Sequence, residues 1–257
     1  MNFRERLKKR EVLLGTMVRD ALILNVVDAL KWAGVDFFVL DMEHTSVDVS
    51  SAGPLLQYAR ARDLPAIVRV PTLDKAFIGR VLDCGAVGVW LPHLDNPEEA
   101  RQFYSLARYP PAGKRGGTIP WFRRAQSQSF TNLREFFAVV DKEVILVGQI
   151  ESQDAVNNIA SILDTGLLDA VVIGPLDLSL DLGFPGESSH PTVEAAITRV
   201  LAEASKQGVS VGLHTGNLAE LAQWHERGMN FLVYSYDLVL MTERLKEART
   251  KLFQGKS

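Results

Sequence analysis

The chain has 257 residues, of which 47% are hydrophobic and 23% charged, enough for a substantial core in one large α/β barrel or two smaller domains. Its net charge of −3 gives no reason to expect nucleic acid or an anionic membrane as a partner. A single cysteine excludes an internal disulfide framework, residues 1–10 lack the apolar segment of a secretory signal, and no run approaches the ~18 apolar residues of a membrane-spanning helix, so we expect a cytoplasmic protein.

Short segments rich in β-branched residues recur along the chain and predict strands, after a charged helix within residues 1–11 that we expect to lie outside the main fold. The second of them, at residues 35–44, opens as a continuous apolar run and closes with Asp41, Glu43 and His44. Such a run is typical of a strand buried on both faces. The predicted strands are 12–18, 35–44, 66–70, 87–91, 144–150, 170–173, 209–213 and 231–234.

Helical segments follow these strands. The helix after the second strand has Ser50 or Ser51 as its expected cap, and the one at 97–107 begins with proline. The alternation lapses only at residues 109–130, a long irregular insertion that is expected to be functional or mobile. The predicted helices are 22–33, 50–62, 75–82, 97–107, 132–140, 155–163, 192–206, 218–227 and 238–253.

Eight strand–helix units without a linker predict one (β/α)₈ TIM barrel that spans residues 1–257 as a single domain. A doubly wound open sheet is the competing architecture. It is disfavoured because no glycine-rich fingerprint follows the first strand.

Polar residues close most of the predicted strands, and in such barrels the carboxyl ends of the strands meet at one rim that carries catalytic groups. Taken singly, each is a helix cap or a solvated end; Asp237 is expected to cap the last helix, and Asp177 is able to cap as well. Together they predict a site. These residues are Asp41, Glu43, His44, Arg69, His93, Gln149, Glu151, Asp177, His214 and Asp237.

Glu151 and Asp177 follow adjacent strands, so their oxygens are expected to share one cation. Two carboxylates without a cysteine cluster suit Mg²⁺ or Mn²⁺ rather than structural zinc, and they leave about four octahedral positions for substrate and water. None of the lysines ends a predicted strand, which argues against a Schiff-base mechanism.

Five short motifs occur in one order and at fitting spacings, and together they resemble the HpcH/HpaI family of metal-dependent pyruvate aldolases over roughly residues 12–240. They are Asp41-Met42-Glu43-His44, Arg69-Val70-Pro71, Tyr109-Pro110-Pro111-Ala112-Gly113-Lys114-Arg115-Gly116, Gln149-Ile150-Glu151 and Gly174-Pro175-Leu176-Asp177-Leu178-Ser179. The resemblance implies a (β/α)₈ barrel, assembled as a homo-oligomer, typically a hexamer, with the C-terminal helix exchanged between subunits.

The same resemblance assigns the ligands. Glu151 and Asp177 would bind the divalent metal, with Mg²⁺ or Mn²⁺ preferred and Co²⁺ acceptable. Gln149 and the backbone at Leu176 would contact the 2-oxo acid.

It also assigns the catalytic roles. Arg69 would stabilise an enolate and His44 would act as general base. Asp83 would raise the basicity of His44, and Asp41 would help to orient it. The implied reaction is the cleavage of a 4-hydroxy-2-oxo acid to pyruvate, or a close 2-oxo acid, and an aldehyde.

Three departures from the family pattern leave the aldehyde half of the substrate open: the loop at 115–120, Met17, and the ends of strands seven and eight at 212–216 and 234–237. The roles of residues 113–130 and of His214 are also open.

Two other activities remain in play. One is a CoA-ester lyase or an oxaloacetate decarboxylase at the same site, for which Arg115, Arg123 and Arg124 would be candidate phosphate contacts. The other is a non-catalytic barrel that binds oxo acids.

Overall fold

Buried apolar runs form all eight strands of a closed parallel barrel in the computed structural model, which describes residues 2–253. The strands pair in chain order and the last pairs with the first, so the predicted TIM barrel is confirmed. The strands are β1 Leu13–Val18, β2 Phe37–Asp41, β3 Ala66–Arg69, β4 Gly88–Leu91, β5 Ile145–Ile150, β6 Ala170–Ile173, β7 Ser210–Thr215 and β8 Phe231–Tyr236.

Helices connect the strands on the outside of the barrel. Two connections hold more than one helix. Three α-helices and a 3₁₀ turn at Trp121–Arg123 lie between β4 and β5, and a short helix followed by a long one lies between β6 and β7. The α-helices are α1 Phe3–Lys8, α2 Asn25–Ala33, α3 Val49–Ala61, α4 Lys75–Asp83, α5 Pro97–Ala107, α6 Arg124–Ser127, α7 Leu133–Glu143, α8 Gln153–Leu163, α9 Pro175–Asp181, α10 Pro191–Lys206, α11 Leu218–Glu226 and α12 Asp237–Phe253.

The interior of the barrel is filled by alternate side chains of the strands. Met17, Val39 and Val147 belong to this interior cluster, whereas their strand neighbours pack outward against the helices. Because side chains alternate along a strand, the polar residues Asp41, Arg69 and Gln149, two positions beyond interior residues, also point inward at the carboxyl end.

Helix α1 closes the opposite end of the barrel. It lies outside the sheet, as expected, yet Phe3 and Leu7 are part of the interior cluster, and the Phe3 ring lies 5.4 Å from that of Phe37. This helix therefore contributes to the core rather than extending from it.

The insertion between α5 and β5 lies at the same amino-terminal end. Arg123 is buried beside Glu143, with which it forms a 2.6 Å ion pair, and borders a cavity of about 460 Å³ together with Pro65 and Val87, which lie at or near the starts of β3 and β4. The insertion therefore lies away from the carboxyl-terminal rim of its own barrel.

Helix α12 buries none of its side chains within the chain. It presents an apolar stripe formed by Leu238, Met241, Leu245 and Leu252, which are 42%, 55%, 64% and 73% exposed. No helix within residues 2–253 is both long and apolar enough to cross a lipid bilayer.

Candidate active site

An ion pair between the ends of β2 and β3 anchors the site. Arg69 donates from Nε to Asp41 Oδ1 at 2.9 Å and from Nη2 to Oδ2 at 2.7 Å, and both side chains are buried. Burial by itself would raise the pKa of Asp41, but the hydrogen bonds and charge of Arg69 outweigh it and hold that pKa below its usual range. Asp41 is therefore a permanent anion, and Arg69 points inward toward a buried partner.

A second guanidinium, which the sequence did not single out, reaches the same carboxylate. Arg19 Nε lies 3.2 Å from Asp41 Oδ2, and Arg19 Nη2 donates to the His44 carbonyl at 2.9 Å. The loop that carries Arg19 is fixed by Asp237, whose Oδ2 accepts the backbone N–H groups of Arg19, Asp20 and Ala21 at 2.8–3.1 Å. Asp237 is thus an anchor for the β1–α2 loop, a role beyond the expected helix cap.

Glu43 stands between the cations and the imidazoles. Its Oε2 lies 3.1 Å from Arg69 Nη1 and 3.6 Å from His44 Nε2, and it is buried without a well-directed hydrogen bond. The His44 side chain is 52% exposed, so it faces the open mouth of the barrel. Glu43 rather than Asp41 is the carboxylate nearest to this imidazole.

His93, which the sequence placed at the rim without a role, bridges two of the site's carboxylates. Its Nδ1 lies 3.1 Å from Glu151 Oε1 and its Nε2 lies 3.4 Å from Glu43 Oε1, while its backbone N–H donates to Glu151 at 2.8 Å. The backbone at His93 has φ 50°, a left-handed conformation that is uncommon outside glycine. Such strain recurs at functional sites, where the surroundings enforce it.

Glu151 is held by a relay of buried side chains. Trp90 Nε1 donates to Gln149 Oε1, and Gln149 Nε2 donates to Glu151 Oε2. Because the indole N–H can only donate, the amide orientation of Gln149 is fixed. One amide hydrogen of Gln149 remains for an additional acceptor, as the predicted contact with an oxo acid requires.

Asp177 and Leu176 lie in the first turn of α9, a helix that sequence reasoning missed. Gly174 precedes this helix without a side-chain cap, and Pro175 offers no N–H, so the Leu176 N–H is free of an intrahelical acceptor. Burial raises the pKa of Glu151, and the negative charge of Asp177 raises it further. Glu151 Oε2 lies beside Gly174, the residue before α9, so both predicted metal ligands lie near the start of this helix.

The donor set and its charge fit a divalent cation. Four carboxylates at the mouth (Asp41, Glu43, Glu151 and Asp177) face two guanidiniums (Arg19 and Arg69), which leaves two negative charges without a partner. A side chain at Gly174 would put its Cβ 2.5 Å from Glu151 Oε2, so glycine keeps the space beside that oxygen open.

No group of three or more His, Cys, Asp or Glu side chains within residues 2–253 is arranged as a metal cage. Glu151 and Asp177 alone would therefore leave most coordination positions to substrate and water.

Asp83 does not join these residues. It ends α4 near the amino-terminal end of the barrel and pairs with Arg115 at 2.7 Å, and burial raises its pKa. The part of the chain that the structure describes contains no contact between Asp83 and His44, so within one chain the implied pairing is absent.

His214 completes the mouth on the side of β7. Its Nε2 lies 3.3 Å from the Ser235 carbonyl, and burial, together with the positive charges of Arg69 and Arg19, lowers the pKa of this imidazole to about 4. His214 is therefore neutral at pH 7.

Comparison with known proteins places this geometry in a family. The model of the HpcH/HpaI aldolase/citrate lyase family matches residues 24–243. The chain belongs to this family. It is 34% identical over 227 residues to a 5-keto-4-deoxy-D-glucarate aldolase of Klebsiella pneumoniae, with 87% of each chain covered. The Escherichia coli aldolase of the same name is 34% identical over 211 residues, 82% of this chain and 81% of that protein.

Solved structures agree with this assignment. An HpcH/HpaI aldolase from Desulfitobacterium hafniense DCB-2 superposes with a TM-score of 0.90 at 31% identity and covers 98% of this chain and 97% of that one. The expected family and the expected class, an aldolase that acts as a carbon–carbon lyase, are thereby confirmed.

Proposed function

We propose that this aldolase cleaves a 4-hydroxy-2-oxo acid to pyruvate, or a close 2-oxo acid, and an aldehyde, and that it requires a divalent metal. The observation that carries the proposal is the pair Glu151 and Asp177, which form no ion pair with a lysine or arginine among the described residues, at the same mouth as the buried guanidinium of Arg69. A bound Mg²⁺, Mn²⁺ or Co²⁺ would supply Lewis-acid polarisation of the keto group.

The other catalytic roles belong to side chains of the protein. His44, exposed at the mouth beside Glu43, removes the proton of the C4 hydroxyl. The C3–C4 bond then breaks, its electrons form the enolate of the 2-oxo acid, and the aldehyde leaves. Arg69 stabilises the negative charge where it develops, and a proton delivered to C3 yields pyruvate.

The substrate contacts follow from the free donors. The remaining amide hydrogen of Gln149 and the Leu176 N–H are donors that still need an acceptor. The carboxylate oxygens of a 2-oxo acid are suitable acceptors for both. Asp41 holds Arg69 and Arg19 in place rather than orienting His44 by direct contact.

Two of the alternatives have less support than the aldolase. The candidate phosphate contacts of a CoA ester lie at the amino-terminal end of the barrel, away from the proposed site: Arg115 and Arg123 are buried there, and Arg124 directly follows Arg123. A non-catalytic barrel would not need an exposed imidazole beside an orphaned carboxylate oxygen at the mouth.

The subunits are proposed to associate through α12. Its apolar stripe buries nothing within the chain, and burying it against another subunit would remove several large side chains from water. A homo-oligomer, in the form of a hexamer with exchanged C-terminal helices, accounts for this stripe.

Replacing the proposed ligands tests the function. Glu151→Ala and Asp177→Ala should each abolish metal-stimulated cleavage of a 4-hydroxy-2-oxo acid, measured by coupled detection of pyruvate with Mg²⁺ or Mn²⁺ and with EDTA.

Asp154→Ala is the matched control, because Asp154 is an exposed carboxylate in the first turn of α8, three residues from Glu151. This control should behave as the wild type. Cleavage that survives EDTA in the wild type, or metal stimulation that survives in both ligand variants, would refute the assignment.

A further inference from the structure

The ends of β7 and β8 form a polar corner that the proposed cleavage leaves without a role. We call His214, Ser235 and Tyr236 the β7–β8 corner. His214 points into the barrel, because Leu213 packs outward and His214 pairs with the interior residue Val233. The Arg19 guanidinium lies 4.9 Å from the centre of the Tyr236 ring, and its Nε lies 3.2 Å from Asp41. The corner is therefore part of the same mouth as the proposed catalytic groups.

A bulge aims Tyr236 into this mouth. Phe231 and Val233 point inward, so simple alternation would place Ser235 inward next. The β1–β8 register instead shifts between Gly15 and Met17, and Ser235 has φ 55°, so Tyr236 becomes the partner of Met17 and packs against the interior cluster. Bulges beside active sites commonly redirect a side chain in this way.

The hydrogen-bond partner of His214 determines which ring nitrogen carries the proton. Burial first, and then the charges of Arg69 and Arg19, keep the imidazole neutral at pH 7, so it carries a single proton. The Ser235 carbonyl, 3.3 Å from Nε2, can only accept, so that proton lies on Nε2. Nδ1 is then an unprotonated acceptor, and the described residues provide no donor for it.

Ser235 and Tyr236 add hydroxyl groups that also lack partners. Ser235 is fully buried, and its Oγ has no hydrogen-bond partner among the described residues. The Tyr236 ring lies under the Arg19 guanidinium at 4.9 Å, and none of the described hydrogen bonds involves its hydroxyl. A buried hydroxyl without a partner is costly, so a bound ligand that supplies one would be favoured.

The charge of the mouth decides what kind of ligand fits. The three corner groups are neutral, and Arg19 and Arg69 are already engaged by Asp41 and Glu43. The other imidazoles of the mouth, His44 and His93, each lie beside a carboxylate. A second carboxylate on the substrate would find no free guanidinium here, and it would set its acceptor-only oxygens against the lone pair of His214 Nδ1. A hydroxyl group, which both donates and accepts, suits His214 and Tyr236.

We propose that the β7–β8 corner binds the hydroxyl groups of an uncharged hydroxyaldehyde, with His214 Nδ1 as acceptor and the Tyr236 hydroxyl as an adaptable partner. The proposal rests on the proposed aldolase function and names the class of its aldehyde half. It makes His214 and Tyr236 specificity-determining residues.

Three two-carbon aldehydes test it, because they differ only in the group attached to the carbonyl. Addition of pyruvate to glycolaldehyde, acetaldehyde and glyoxylate, measured as kcat/KM with Mn²⁺, should favour glycolaldehyde by about tenfold or more over each of the others. His214→Leu and Tyr236→Phe should each reduce the ratio of glycolaldehyde to acetaldehyde by about tenfold. Taking the ratio within one variant removes any general loss of activity.

Companion variants keep the test decisive. His214→Gln retains an acceptor oxygen and should restore part of the ratio. The surface variant His225→Leu should match the wild type. If His214→Leu does not fold, Tyr236→Phe decides.

Deuterium exchange at C3 of pyruvate by the wild type distinguishes a failure of the corner proposal from a failure of the aldolase proposal. With exchange present, an equal or better use of glyoxylate, or an unchanged ratio in the corner variants, overturns the corner proposal alone. With exchange absent, the aldolase proposal fails and the corner proposal fails with it.

Discussion

Arg69 is the residue on which the electrostatics of the mouth depends most, since it neutralises Asp41 from two nitrogens and reaches Glu43 from a third. Arg69→Ala should lower kcat by about 10²–10³-fold, because a preorganised donor that stabilises developing charge is typically worth that much. Steady-state kinetics measure this.

The same variant leaves Glu43 without its guanidinium, so thermal unfolding should be followed alongside, with Arg69→Lys as a milder variant that retains the charge but not the fork. An unchanged kcat with a raised KM would make Arg69 a binding residue only.

His214 makes the free energy of unfolding depend on pH, and the direction of its pKa shift determines the sign of this dependence. Burial and two guanidiniums lower its pKa from 6.5 to about 4, so between these values the unfolded chain binds a proton that the folded chain does not. This group's contribution to the free energy of unfolding is complete above pH 6.5 and is lost as the pH falls toward 4.

Urea unfolding at pH 7 and pH 5 should therefore show a smaller loss of stability in His214→Gln than in the wild type. His225→Gln, at an exposed histidine, should follow the wild type. Equal losses in all three proteins would contradict the buried, neutral state of His214.

Sequence alone predicted Asp41, Arg69 and Glu151 because strand alternation determines which side chains point inward. Arg19, His93 and Asp237 could not be assigned in this way, since their roles depend on loop conformations. Arg19 needs the loop that Asp237 fixes, and His93 needs a left-handed backbone. The role of Asp83 stays a prediction, and its position near the amino-terminal end of the barrel could not be read from the motif that contains it.

At the scale of elements, the turn from β6 into α9 provides the space beside Glu151. Gly174→Ala would bring a Cβ to 2.5 Å from Glu151 Oε2 and 2.8 Å from Gln149 Nε2. We expect Mn²⁺ affinity, measured by calorimetry, to fall by about 10–100-fold, the usual cost of disturbing groups that orient a metal ligand.

Gly79→Ala is the matched control, because a Cβ at this helical position meets nothing within 4 Å. It should leave Mn²⁺ affinity unchanged and should not lower stability, given the preference of helices for alanine over glycine. Wild-type affinity in Gly174→Ala would show that this space is not used.

Element boundaries were predicted well where burial is continuous and less well where capping decides. Strand β6 at Ala170–Ile173 matches the prediction. The prediction of Ser50 or Ser51 as the cap of α3 was wrong, because Asp48 caps this helix and Ser51 completes the capping box. Helix α9 was missed, since its seven residues are too few for a periodic pattern to emerge.

At the scale of the whole molecule, the stripe on α12 predicts association. Met241→Glu combined with Leu245→Glu places two charges on side chains that are 55% and 64% exposed in the isolated chain. Sedimentation should show an oligomer for the wild type and a smaller species for this variant, because a charge buried at an interface is costly.

Thr250→Glu, at an exposed position away from the stripe, should leave the mass unchanged. A monomeric wild type, or an unchanged oligomer in the double variant, would contradict association through α12.

The closed barrel was predictable as a whole because eight buried strands joined by helices leave few other arrangements. The position of the insertion follows from the same order of elements, because a connection from a helix to the next strand, here from α5 to β5, lies at the amino-terminal end of the barrel.

The central claim, that Glu151 and Asp177 hold a divalent ion where Arg69 stabilises an enolate, is tested most directly by proton exchange at C3 of pyruvate in deuterium oxide, followed by NMR. The wild type should exchange these protons with Mn²⁺ and stop when EDTA is added, and Glu151→Gln and Asp177→Asn should not exchange them with either addition. Exchange that is indifferent to EDTA, or that persists in both variants, would contradict the claim.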